Sequence, residues 1–127
     1  MPEHFQEEIA AAITSHAQWI VDLSECLEGL AGGSPCRCQD FVRRIGAEDE
    51  CFLGQWLHWT AATSQQASHR AVRELHQRFH EVASELVALA LAGKADAATR
   101  LFEERLAPLS RQLISALDAW ARVEALV

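Results

Sequence analysis

The feature that most constrains this chain is the spacing of its apolar residues, which recur in steps of three and four along most of its length. This spacing places side chains on one face of an α-helix and is unlike the strict alternation of a half-buried strand. Four stretches show the pattern: about Glu3 to Leu30, Cys51 to a break between Thr60 and Ser64, about Ser68 to Ala92, and a last stretch from Asp96 onwards. The sequence therefore predicts an all-α fold.

Glycines and prolines mark the connections between these stretches. Gly32-Gly33-Ser34-Pro35 stops the first helix, and Gly93 supplies a C-terminal cap for the third. Asp96 is predicted to cap the fourth helix, and Pro108 is expected to bend or interrupt it. A short helical piece is expected around Phe41. The predicted fold is a four-helix bundle with a short extra helical segment between the first and second main helices.

Length and charge limit the classes of function. A chain of 127 residues, half of them hydrophobic, is expected to form a single domain over residues 1–127. Eleven basic against 18 acidic residues give a net charge of −7, which argues against nucleic acid or an anionic membrane as partner. No stretch reaches the ~18 apolar residues of a membrane span, and the N-terminus lacks a signal-peptide pattern. We therefore expect a cytoplasmic protein.

The cysteines point to chemistry rather than to disulfides. Cys26, Cys36, Cys38 and Cys51 occur without an export signal, and thiols stay reduced in the cytoplasm. Metal binding or redox chemistry is then the more usual role. Cys26 falls beside apolar residues of the first helix and is predicted to fill the core. Cys36 and Cys38 have two interpretations: ordinary loop cysteines, or thiols that form a disulfide with Cys51 or bind a second soft metal.

Three histidines occupy positions on apolar stripes. His16 follows Ile13 by three residues on the first helix, and His76 and His80 lie one turn apart on the third. Histidines at i and i+4 share a helix face, so their nitrogens can reach one zinc ion at about 2.0–2.1 Å. The alternative is that these histidines are half-buried and bound to backbone or water. His69 is expected to be a surface residue near a helix start; the other possibility is a spare ligand or a residue that supports a metal ligand.

Cys51 is the candidate fourth ligand. It starts a helix after the acidic run Glu48-Asp49-Glu50, and a helix N-terminus lowers the pKa of a thiol. Three histidines and one cysteine would close a tetrahedral zinc site, and such a site leaves no open position for a substrate. We therefore expect a protein that is not an enzyme. Trp19 and Trp56 are expected to shield the metal from water.

Three blocks of sequence resemble the signature blocks of the chemoreceptor zinc-binding domain family: Ile13-Thr14-Ser15-His16-Ala17-Gln18-Trp19, Cys51-Phe52-Leu53-Gly54-Gln55-Trp56-Leu57 and Leu75-His76-Gln77-Arg78-Phe79-His80-Glu81. They occur in the family's order. The resemblance implies that His16, Cys51, His76 and His80 are the ligands of one Zn²⁺. It also implies a regulatory domain that controls a chemoreceptor or a diguanylate cyclase, and a homodimer packed through the first and last helices.

The chain departs from the usual family arrangement in ways that matter for function. It contains no chemoreceptor, cyclase or transmembrane segment, so its output module would either act in trans or lie outside these 127 residues. A second hypothesis is a thiol redox sensor, in which Cys51 reacts with an oxidant such as hypochlorous acid and zinc is mainly structural. A di-iron catalytic bundle is disfavoured because the chain has no Glu-x-x-His pair.

Overall fold

The structure, a computed structural model, describes residues 5–31, 52–60 and 66–125. Helices α1 (Phe5–Ala31), α2 (Phe52–Thr60), α3 (Gln66–Leu91), α4 (Ala95–Leu101) and α5 (Ala107–Ala125) account for nearly all of this part, and a π-helical turn (Phe102–Leu106) joins α4 to α5. With α4, the turn and α5 counted as one long helix, four main helices form an all-α bundle, as predicted. The extra segment predicted around Phe41 lies outside the described residues.

The turn between α3 and α4 is built on Gly93, as predicted. Its φ of 80° is a left-handed conformation that glycine adopts without steric cost. The Lys94 amide donates to the Leu89 carbonyl (2.9 Å) and the Gly93 amide to the Ala90 carbonyl (3.1 Å), the two bonds of a Schellman motif. The prediction that Asp96 caps the next helix is wrong. Lys94 occupies the N-cap position, and Asp96 lies in the first turn, where its charge complements the helix dipole.

Pro108 does not interrupt the last helix, contrary to one of the two expectations. The chain stays helical through it, and the π-helical turn ends just before it. Within this turn the Ala107 amide donates to the carbonyl of Phe102, five residues back. A proline ring normally clashes with the carbonyl four residues earlier, here that of Glu104 in the widened turn. The helix therefore accommodates the proline by changing its hydrogen-bond pattern locally.

The described core has two parts. The Trp120 cluster contains the buried residues Phe5, Ile9, Ala12, Leu53, Trp56, Leu57, Val72, Leu113, Leu117, Trp120 and Ala121. The Leu86 cluster contains Leu23, Phe79, Val82, Ala83, Leu86, Val87, Ala98 and Leu106. Burial of one large apolar side chain stabilises a fold by roughly 1.5–3 kcal/mol. Packing into the Trp120 cluster therefore holds α2, since nine residues are too few for a stable isolated helix.

None of the described helices combines the length and the apolar character that crossing a bilayer requires.

Candidate metal centre

A polar level separates the two core clusters. His16 follows Ala12 of the Trp120 cluster on α1, and His76 lies between Val72 of that cluster and Phe79 of the Leu86 cluster on α3. His80 follows one turn later. The three side chains are only 5%, 3% and 3% exposed. We call His16, His76 and His80 the histidine layer; their inward orientation confirms the prediction from the apolar stripes.

His76 and His80 are in direct contact. Their ring centroids lie 4.5 Å apart with the planes at 79°, as expected for residues one helical turn apart. Trp19 of α1 packs with its ring centroid 4.8 Å from that of His80, which places this indole beside the histidine pair. Trp56 instead lies within the Trp120 cluster, where its ring centroid is 5.1 Å from that of Trp120.

His16 contacts residues of two other helices. Its ring lies edge-on to Phe79 of α3, at 4.6 Å between centroids. Its Nε2 is 3.1 Å from Oγ of Ser110, which lies on α5 one turn after Leu106. The hydrogen bond to Ser110 places the C-terminal helix next to the histidine layer. Sequence reasoning did not identify Ser110, because a single serine on an apolar stripe carries no ligand signal.

Burial, and secondly repulsion from His80, keep the imidazoles of His16 and His76 neutral. Burial, and secondly the charge that His80 would carry, lower the pKa of His16 to about 4. Burial, His80 and His16 together lower the pKa of His76 to about 3. Both groups are therefore uncharged at neutral pH, the state in which an imidazole offers a nitrogen lone pair to a metal.

The structure brings the predicted ligands together only in part. Among residues 5–31, 52–60 and 66–125, no three side chains of His, Cys, Asp or Glu converge as a metal site requires. His76 and His80 are in contact, and His16 reaches them through Phe79 and through its electrostatic effect on His76. Cys51 lies outside the described residues, as do Cys36 and Cys38.

Other sequence predictions near the layer have clear outcomes. Cys26 is not part of a disulfide and is 4% exposed, as expected for a core residue. His69 is not a surface residue: it is 8% exposed, and its Nε2 lies 2.7 Å from the carbonyl oxygen of Leu57. A signal for this was present, because His69 stands three residues before Val72 and seven before His76, on the buried stripe of α3.

Comparison with protein families places this geometry in context. A family model described as the chemoreceptor zinc-binding domain matches residues 16–87, which is more than half of the chain. The chain belongs to the chemoreceptor zinc-binding domain family. The matched region includes the histidine layer and Cys51. No curated protein and no solved structure matched the chain significantly.

Membership of this family indicates the kind of domain that the chain forms. The family comprises zinc-binding signalling domains, which are regulatory sensors rather than a known class of enzyme domain. The donors also suit zinc chemically, because neutral imidazole nitrogens and a thiolate sulfur are its usual ligands in closed sites. Buried histidines that stay neutral at physiological pH meet that requirement.

Proposed function

We propose that this chain is a zinc-binding regulatory domain in which one Zn²⁺ is held by His16, Cys51, His76 and His80. The observation that carries the proposal is the histidine layer, because three buried imidazoles occupy one level of the bundle in a chain of a zinc-binding family. Zinc supplies a divalent positive charge and four fixed ligand directions. The chain supplies histidines from α1 and α3 and a cysteine that directly precedes α2.

The signal passes to an output protein rather than to a substrate. We assign that role to a chemoreceptor or a diguanylate cyclase in the cytoplasm, contacted in trans; the description of the family supports a chemoreceptor. A closed four-ligand site leaves no position for a reacting molecule, so we assign no catalytic residue. Binding of zinc links α1, α2 and α3, and a change in zinc occupancy shifts the relative stability of their arrangements.

Two copies of the chain form the regulatory unit in this proposal, packed through the first and last helices. Those helices, α1 and α5, lie next to each other in the bundle. Each also carries an exposed valine, Val21 at 47% and Val123 at 42%. Light scattering on the purified protein, expected to give twice the chain mass, tests this part independently of zinc. A chain mass that stays monomeric at high concentration contradicts it.

Metal content of protein purified without chelator is the decisive measurement. We expect about one zinc per chain in the wild type and weakened binding in Cys51→Ala, because a thiolate is one of four ligands. Cys26→Ala is the matched control, since it removes a buried thiol of α1 that the proposal does not use. A wild-type protein that holds no zinc, even after zinc is added back, overturns the proposal.

The same samples separate zinc sensing from the redox hypothesis. Treatment with hypochlorous acid should leave the zinc content unchanged if zinc itself is the signal. Zinc release together with loss of the Cys51 thiol would instead favour a redox sensor, in which oxidation removes one ligand. A chromogenic chelator reports the released zinc, and a thiol titration of the wild type beside Cys51→Ala reports the cysteine.

A further inference from the structure

His69 is a buried histidine outside the proposed ligand set. It lies near the start of α3 and is 8% exposed. Its ring stands edge-on to Trp120 of α5, with the planes at 90° and the centroids 5.9 Å apart. Burial of an imidazole is costly unless its polar nitrogens are bonded, so the partners of this ring indicate its role.

The partner of its Nε2 is a backbone carbonyl of α2. The Nε2 atom lies 2.7 Å from the oxygen of Leu57. A carbonyl oxygen can only accept, so Nε2 must carry the proton and donate it. This nitrogen is therefore committed to the backbone and is not available to a metal. Leu57 lies in the last turn of α2, the part of a helix whose carbonyls receive donors from outside it.

The bond connects two elements that carry proposed ligands. α2 begins at Phe52, directly after Cys51 in the sequence, and α3 carries His76 and His80. His69 precedes His76 by seven residues, which is two turns on the same face and about 10 Å along the helix. His69, which holds α2, and the pair His76 and His80 are thus carried by the same helix at a fixed spacing.

We infer that His69 is a positioning residue for the proposed zinc site: its bond to Leu57 fixes how α2, the helix that follows Cys51 in the sequence, docks on α3, the helix that carries His76 and His80. The inference rests on the proposed zinc function and deepens it. α2 has only nine residues and depends on its neighbours for its position. A backbone carbonyl fixed by a buried donor prevents the small rotation or slide that apolar packing alone permits.

The test compares His69→Gln, which keeps an N–H donor, with His69→Leu and His69→Met, which are of similar size but have none. We expect the two apolar variants to bind zinc about 10–100-fold more weakly, as is usual when a residue that orients a ligand is lost. His69→Gln should recover most of the affinity. Competition with a chromogenic chelator measures it, and the second apolar variant serves if the first does not fold.

Cobalt substitution gives a readout that a general loss of stability would not move. With Co²⁺ in place of zinc, sulfur-to-metal charge-transfer absorption reports the thiolate, whereas the ligand-field bands report the whole ligand set. In His69→Leu and His69→Met the sulfur-to-metal charge-transfer absorption should lose intensity. Val87→Ala is the control, since it opens a cavity on the same helix in the Leu86 cluster, away from α2, and should leave the cobalt spectrum unchanged.

Each outcome decides one point. Folded His69→Leu or His69→Met with wild-type zinc affinity and cobalt spectrum overturns the inference and leaves the proposed function standing. If zinc affinity and charge-transfer intensity fall equally in Val87→Ala and in the two apolar variants, and do not recover in His69→Gln, the inference is also overturned. His69 would then act only through the stability of the fold. A wild type that takes up neither zinc nor cobalt overturns the proposed function and the inference together.

Discussion

Helix α3 buries histidines at two levels, and they are accommodated in different ways. At the first, His69 donates the proton on its Nε2 to a carbonyl of α2 and packs against Trp120. At the second, His76 and His80 lie in contact and share the interior with His16 of α1. The first level involves one imidazole and a backbone partner, whereas the second brings imidazoles near one another.

This difference separates a structural histidine from a candidate metal ligand. All four side chains are less than 9% exposed, so burial does not distinguish them. What distinguishes them is the neighbouring group: Nε2 of His69 donates to a backbone carbonyl, whereas His16 and His76 have another histidine, His80, beside them. Burial first, and His80 second, lower the pKa of both His16 and His76. Histidines that stay unprotonated keep a nitrogen lone pair available to coordinate a metal cation.

The largest expected effect comes from removing a histidine of the layer. His76→Ala or His80→Ala should reduce zinc from about one ion per chain to background, because a closed site needs all its ligands. Metal analysis after dialysis against dilute zinc measures this. His58→Ala is the matched control, as His58 is exposed on α2. Full zinc content in His76→Ala would show that the two levels of α3 do not differ as proposed.

Acid should destabilise the zinc-free protein through the histidine layer. Above pH 6.5 His16 and His76 are neutral both folded and unfolded, so they add no pH dependence. Between pH 6.5 and about 4 the unfolded chain binds protons that the folded chain, with each pKa lowered, does not. The free energy of unfolding should therefore decrease as the pH is lowered, by at most about 1.4 kcal/mol per pH unit for each histidine.

Urea unfolding in the presence of a chelator, at pH values from 7 to 5, measures this slope before most carboxylates titrate. His16→Leu and His76→Leu should each flatten the curve of unfolding free energy against pH. A free energy of unfolding that is constant between pH 7 and 5 in the wild type would contradict the prediction.

Most of the fold could be predicted from sequence because helical periodicity is a local property. The ends of α1 and α3 lie within about two residues of the predicted ones, and Gly93 forms the expected turn. The predicted N-cap of α4 was wrong because the turn at Gly93 leads directly into this helix and leaves Lys94 at the N-cap. The expectation that Pro108 could interrupt the last helix was wrong, because the rule for proline assumes an α-helical turn before it, and here that turn is π-helical.

The site was predictable to the extent that it lies on helix faces. The inward positions of His16, His76 and His80 follow from their spacing to apolar neighbours. The roles of His69 and Ser110 do not, because each depends on which residue of another helix lies opposite. Such partners are set by the packing of α2 and α5, which no local pattern encodes. Ligation by Cys51 stays a prediction.

The smallest predicted effect concerns the hydrogen bond between His16 and Ser110. Ser110→Ala removes Oγ from its position 3.1 Å from Nε2 of a buried imidazole. The zinc-free protein should lose about 1 kcal/mol of unfolding free energy, the usual net value of such a bond. A double-mutant cycle with His16→Leu isolates the pair, because Ser110→Ala should then cost nothing. Equal losses with and without His16 would contradict this.

Repeating the cycle with zinc bound extends the comparison to the metal. Each imidazole has two nitrogens, and a nitrogen that binds zinc cannot also bond Ser110. A coupling that persists with zinc assigns the metal to Nδ1 and makes Ser110 the group that orients His16. A coupling that disappears assigns the metal to Nε2, and zinc binding then releases Ser110 of α5. In that case the histidine layer transmits zinc occupancy to the last helix, whereas His69, bonded to α2, does not change partner.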